Sequence, residues 1–244
     1  SKARAYLKTR SPRSLLRALQ AKGRTRDPKV ELASRSLAHL LIATMTHEPE
    51  RMSVLAYLMF RIAEAHGWSE YTPLGFIAWG CYQGIHRDAG RWIRSYFESA
   101  RTLSEHTDEM LARSTVSILY VGVGMPWWQP YDVFKNELMA HAQITRNAGN
   151  WEYLSHARHL HAQAMLLSGE PLVRLKDLFA DIRREAGNLG LSRIDAALAK
   201  HQQATQTLMG LGSDSYRLDG TIIKEDEYLS QLEASGDTLS LGGW

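Results

Sequence analysis

Apolar residues recur at helical spacing from one end of this chain to the other, and proline or glycine interrupts them roughly every 15–20 residues. That pattern predicts a chain of antiparallel helices joined by short turns. Ser11-Pro12 opens the first helix, with Leu15, Leu16 and Leu19 on its face. Gly23–Pro28 breaks it. Val30, Ala33, Leu37, Leu40, Leu41 and Thr44 are expected to share one face of the second helix, and His47-Glu48-Pro49 ends it. Met52, Leu55, Met59, Ile62 and Ala63 mark the third helix, which stops at Gly67. Thr72-Pro73 starts the fourth, and Trp92, Ile93, Tyr96, Phe97, Ala100 and Leu103 mark the fifth. Thr107 is read as the cap of the sixth, with Asp108 and Glu109 in its first turn. Pro126 and Pro130 then set a boundary.

Four further periodic segments run from residue 131 to about 208, punctuated by Gly149-Asn150 and Gly169-Glu170-Pro171, the last carrying Ile194, Ala197, Leu198, His201, Thr205 and Leu208. The expected fold is all-α: a tetratricopeptide-like solenoid of about five antiparallel helix hairpins, wound as a right-handed superhelix. A basic linker and N-terminal helix are assigned to residues 1–28, the solenoid to 29–211, and a connector, short helix and tail to 212–244. A β-hairpin around Asp219-Gly220 is one reading of the connector.

Charge divides unevenly. Residues 1–30 hold ten Lys/Arg (Lys2, Arg4, Lys8, Arg10, Arg13, Arg17, Lys22, Arg24, Arg26, Lys29) against Asp27 alone, a net +9, and the remainder is −6. Such an arm binds phosphates, or docks on the acidic remainder or a preceding domain. No helix-turn-helix, zinc or base-stacking pattern accompanies it, so nucleic acid is the less expected partner. No apolar run approaches the roughly 20 residues of a membrane span, and no signal peptide is visible. With the single Cys81 read as a buried small hydrophobe, a cytoplasmic location is expected. The chain starts at Ser1 rather than Met and both ends read as cut, so a fragment of a longer polypeptide is expected.

Residues 74–100 and 138–164 share a plan: an apolar helix, an Ala-Gly-polar-Trp turn (Ala89-Gly90-Arg91-Trp92 and Ala148-Gly149-Asn150-Trp151), and a second helix with small residues inside. This resembles degenerate tetratricopeptide repeats, although the two turns stand 59 residues apart (89 to 148), about two units. A second resemblance is carried by Ser11-Pro12-Arg13-Ser14-Leu15-Leu16, Asp27-Pro28-Lys29, Ala65-His66-Gly67-Trp68-Ser69, Trp128-Gln129-Pro130, Gly149-Asn150-Trp151-Glu152-Tyr153 and Glu225-Asp226-Glu227-Tyr228-Leu229. Together these are similar to the helical-repeat region that follows the nucleotide-binding module of large bacterial multidomain signalling ATPases, which combine kinase-like, ATPase and sensor histidine kinase domains. The resemblance implies a regulatory segment and carries no catalytic residue onto this chain. The phosphate-binding loop and kinase signatures of such enzymes are absent from the sequence.

Glu152, His156 and His159 stand at spacings of 4 and 3, one helical face, and are the candidate metal ligands. A second Glu-x-x-His element is lacking, so the paired pattern of helical di-metal sites is incomplete, and a solvated polar face explains them equally. Trp127, Trp128, Tyr131, Trp151 and Tyr153 are the candidate walls of a peptide groove, with core packing the competing explanation. The expected function is a non-catalytic protein-interaction and regulatory helical-repeat module, without cofactor, whose partner is a protein or a neighbouring domain. The alternatives are a nucleic-acid-binding helical domain using the basic arm and a metal-dependent helical enzyme.

Overall fold

The computed structural model describes residues 5–6, 9–86, 90–212, 214 and 216–235. Lys2, Arg4 and Lys8 of the basic arm, Ala89 of the first Ala-Gly turn and the tail after Ser235 lie outside them. The described residues form eleven α-helices: α1 (Pro12–Lys22), α2 (Pro28–His47), α3 (Pro49–His66), α4 (Thr72–His86), α5 (Gly90–Ser104), α6 (Met110–Leu119), α7 (Tyr131–Asn147), α8 (Trp151–Leu167), α9 (Leu172–Asn188), α10 (Ser192–Leu208) and α11 (Glu225–Ser235). The fold is all-α, with sequential helices packed in pairs as in a helical-repeat array. The chain divides into two compact units, Ser1–Trp128 and Gln129–Trp244. Among the described residues no helix is long and apolar enough to cross a membrane.

In the first unit the helix starts follow the local chemistry. Ser11 caps α1 by accepting from the Ser14 N–H at 3.2 Å, and Asp27 caps α2 by accepting from Lys29 at 2.8 Å. Prolines 12, 28 and 49 occupy first helical positions, where a missing N–H costs nothing. The cap of α6 is Glu109, not Thr107: the Thr107 hydroxyl donates back to the Ser104 carbonyl at 2.8 Å, closing the end of α5 instead. Helix α4 is buried on nearly every side, as expected of an apolar helix surrounded by others. It packs on α2, α3, α5 and α6. Phe60 and Phe76 meet edge to face at 4.8 Å beside it, and Trp79 is fully buried.

The face expected of α2 is turned. Val30, Ser34, Ala38 and Leu41 are buried, whereas Ala33 is exposed and Leu40 is 55% exposed. This helix packs mainly on α3, so a narrow stripe covers it and the flanking leucines stay in water. After Leu119 the chain does not break at the glycines. It continues through a π-helical turn (Tyr120–Gly124) and a 3-10 turn (Met125–Trp127).

In the second unit α7, α8, α9 and α10 are each 17 residues long. Their starts recur at a spacing of 41 residues, 131 to 172 and 151 to 192. The positive-φ glycines recur with them, 149 to 190 and 169 to 210. Each helix closes with the same backbone bond across the turn: Asn150 to Thr145, Glu170 to Met165, Leu191 to Ala186 and Leu211 to Gln206, all 2.9–3.1 Å. This spacing is longer than a tetratricopeptide unit and is unrelated to the 59-residue distance between the Ala-Gly turns. Those turns are not equivalent, since Gly90 begins its helix whereas Gly149 precedes Trp151, the first residue of α8. Ala162, Met165, Leu175, Phe179, Ile182, Ala186, Ile194 and Leu198 form one core between α8, α9 and α10.

No β-hairpin forms around Asp219-Gly220. The only β-bridge among the described residues pairs Arg24 with Trp68. Two of its backbone donors go to helix side chains instead: Ile222 N–H donates to the buried Gln203 side chain at 3.2 Å, and Leu218 N–H donates to Glu225 at 2.6 Å, while Gly220 N–H closes a local turn onto the Ile223 carbonyl at 3.0 Å. Those two donors are therefore not available to a ladder between 216–218 and 221–223.

Candidate functional site

The two units divide the aromatic residues expected to wall a groove. Trp127 and Trp128 belong to the first, and Tyr131, Trp151 and Tyr153 to the second. Trp127 is 59% exposed. Trp128 is half-buried, edge-on to Phe97 at 6.0 Å and to Tyr120 at 6.1 Å. The π-helical turn makes this packing possible by bringing Gly124 against the two rings. A Cβ added there would stand 2.4 Å from Phe97 and 2.8 Å from Trp128. Tyr131 lies edge-on to Phe134 and is exposed, as is Trp151. Tyr153 is half-buried beside the His156 ring, 5.8 Å between centroids.

The second unit carries a groove of about 370 Å³ lined by other residues. It opens between α7 and α9, the first helices of the two hairpins, with α8 behind them. Met165, Leu178 and Ile182 give it an apolar floor, Met139 forms one wall, and Arg174, Asp177 and Asp181 form the rim. Arg158 reaches the groove from α8 while ion-paired with Glu185. His161 lines it too. Burial, then the charges of Lys135 and Arg174, hold its imidazole below the ordinary range against the opposing pull of Glu170, so it is neutral at pH 7. An apolar floor inside a charged rim suits a segment with apolar anchors and polar flanks, and methionine adapts to anchors of different shape.

The candidate metal ligands do not converge. Glu152 is exposed, and His159 is buried on the side of α8 facing α10. Among the described residues no three His, Cys, Asp or Glu side chains are grouped to hold a metal ion. His159 instead enters a polar cluster that the sequence did not reveal. Its Nε2 lies 3.3 Å from Nδ1 of His201. His201 Nδ1 is 2.9 Å from the Ala197 carbonyl, and its Nε2 is 2.7 Å from the Gln163 amide nitrogen. Phe179 stacks on the His201 ring at 5.9 Å. Burial, followed by the charges of His201, His156 and Lys200, pushes His159 down to about 3. Burial also pushes His201 down. An unfolded histidine takes its proton near the ordinary 6.5, so the pair contributes fully above that pH. Its contribution is lost as the pH falls from about 6.5 toward 3, by about 1.4 kcal/mol per pH unit for one proton.

Part of the basic arm is engaged within the first unit. Arg10 is ion-paired with Glu64, and Arg24 with both the buried Glu70 and Asp108. Glu70 also accepts from the backbone of Asp108 at 3.0 Å and Glu109 at 3.3 Å. Its own N–H donates to Glu31 at 3.4 Å. One buried carboxylate thereby ties three inter-helix turns together.

The groove-lining residues lie up to 43 positions apart (139 to 182), and only the 41-residue spacing of the hairpins would have brought them together from sequence. Compared with known proteins, the chain matches no family model, no curated protein and no solved structure.

Proposed function

We propose that this chain is a non-catalytic protein-interaction and regulatory module of helical-repeat type, a segment of a larger signalling ATPase or kinase. The partner is a protein segment, from another chain or a neighbouring domain, that lays apolar side chains into the groove of the second unit. The observation that supports this reading is the groove itself, an apolar floor of Met165, Leu178 and Ile182 open between two helices and ringed by charge. The resemblance to the helical region of signalling ATPases supplies the larger setting. The nucleic-acid alternative is weakened by the ion pairs that Arg10 and Arg24 make inside the first unit. The metal-enzyme alternative lacks a gathered ligand set among the described residues.

Affinity capture from the source lysate with the full chain tests the reading. Leu178→Glu puts a charge on the groove floor; because Leu178 also packs against the core of the unit, the variant is used once circular dichroism and a cooperative melt show that it is folded. A protein retained by the wild type is expected to be lost, with affinity reduced about 10-fold or more, in Leu178→Glu. Trp127→Ala/Trp128→Ala serves as the comparison from the first unit. Equal retention by wild type and Leu178→Glu, with loss in the tryptophan variant, would move the interaction to the first unit. Recovery of nucleic acid alone would move it to the basic arm.

A further inference from the structure

We propose that the His159–His201 contact is a proton-operated latch that holds α8 against α10, and that protonating it separates these helices and disassembles the groove. The geometry fixes the tautomers. His201 Nε2 stands 2.7 Å from the Gln163 amide nitrogen, so it accepts there and its proton is on Nδ1. That N–H faces both the Ala197 carbonyl at 2.9 Å and His159 Nε2 at 3.3 Å, which therefore presents a lone pair. A proton on His201 Nε2 is accommodated when the Gln163 amide turns its oxygen inward. A proton on His159 Nε2 meets the His201 N–H head-on, donor against donor, and no rotation of a neighbour relieves it. His159 is therefore the trigger.

The surroundings sharpen the response. The neighbouring groups that act on the pair oppose a proton: His156 from α8 and Lys200 from α10 on His159, and Lys200 on His201. Helix α9 brings Arg183, which is held by Asp195 at 2.8 Å and Gln202 at 3.0 Å, and closes the site with the apolar face of Phe179. Helix α7, packed on α8, brings Arg146 near Arg158. No carboxylate hydrogen-bonds either imidazole among the described residues, so a proton arriving on His159 finds no counter-charge in contact. Helix α8 carries Arg158, His161 and Met165 of the groove as well as His159 of the latch, so its release from α10 displaces Met165 from the floor it shares with Leu178 and Ile182 of α9. The latch rests on the packing of the second unit and holds whether or not the groove is the binding site.

A ligand-free titration of the full chain tests it. Imidazole carbon–proton NMR signals and amide hydrogen exchange are followed from pH 8 to pH 3.5. Both imidazoles are expected to stay neutral through the ordinary range near 6.5, then to protonate at lower pH in one cooperative step in which α8 and α10 lose exchange protection. His159→Gln, which keeps a hydrogen-bonding side chain but cannot titrate, is expected to move that step down by about one pH unit or more. If that variant does not fold, His201→Gln removes the same contact and is read in the same way. The latch is overturned if either wild-type imidazole titrates near its ordinary value of about 6.5 without loss of protection in α8 and α10. It is equally overturned if the folded variants open at the wild-type pH.

Discussion

Phe179→Ala is expected to destabilise the second unit by about 3–5 kcal/mol. Phe179 is fully buried at the centre of the core built by Ala162, Met165, Leu175, Ile182, Ala186, Ile194 and Leu198. Alanine there removes the transfer energy of the ring and leaves a cavity that three helices are too tightly joined to fill. The loss is a large share of the roughly 5–15 kcal/mol that holds a domain folded. A second consequence follows from the stacking on His201. Water admitted beside the imidazoles weakens the burial that keeps them neutral, so His159 and His201 should titrate closer to 6.5 in this variant. Urea unfolding followed by amide exchange in α8, α9 and α10 measures the first effect. A loss under about 1 kcal/mol would show that the core is not organised around this ring.

In the first unit Gly67→Ala is expected to cost about 3–4 kcal/mol, far more than the same change at Gly190. Gly67 has φ 95° and ψ 156°, a region that essentially only glycine occupies. An added Cβ would stand 2.8 Å from both the Gly23 carbonyl oxygen and the Thr25 nitrogen. Those are the atoms that bridge to Trp68, through Trp68 N–H to Gly23 O at 3.0 Å and Thr25 N–H to Trp68 O at 2.8 Å. The linker must therefore move away, breaking both bonds and shifting Arg24 from Glu70, a buried carboxylate that is costly to leave unpaired. At Gly190, with φ 69° and open space around the missing side chain, only the left-handed backbone penalty of about 1–2 kcal/mol applies. Thermal melts of the two variants separate the steric from the conformational contribution.

Much of the fold was legible because its boundaries are local. Ser11-Pro12, Asp27-Pro28, Thr72-Pro73 and the glycines at 149 and 169 act on their own turn of backbone, and the helices begin and end with them. What escaped depends on partners distant in sequence. Periodicity places the exposed Leu40 on a buried face because it does not say how many neighbours a helix has. Asp219-Gly220 has hairpin chemistry, but Gln203 and Glu225 claim the backbone donors that a hairpin would need. Glu70 has the composition of surface and is buried because three turns close over it. Spacing groups His159 with Glu152 and His156, while its partner in the fold, His201, lies 42 residues on in another helix. The groove is illegible for the same reason, being a property of the packing of hairpins rather than of any one segment.

Hydrogen–deuterium exchange of the full chain, free and with its captured protein partner bound, tests the central claim most directly. Occupation of the groove should slow exchange in three stretches of the second unit, around Met139, across Arg158–Met165 and across Arg174–Ile182. Protection confined to α1 and the linker to α2, or to the segment around Trp127, with those three stretches unchanged, would contradict it.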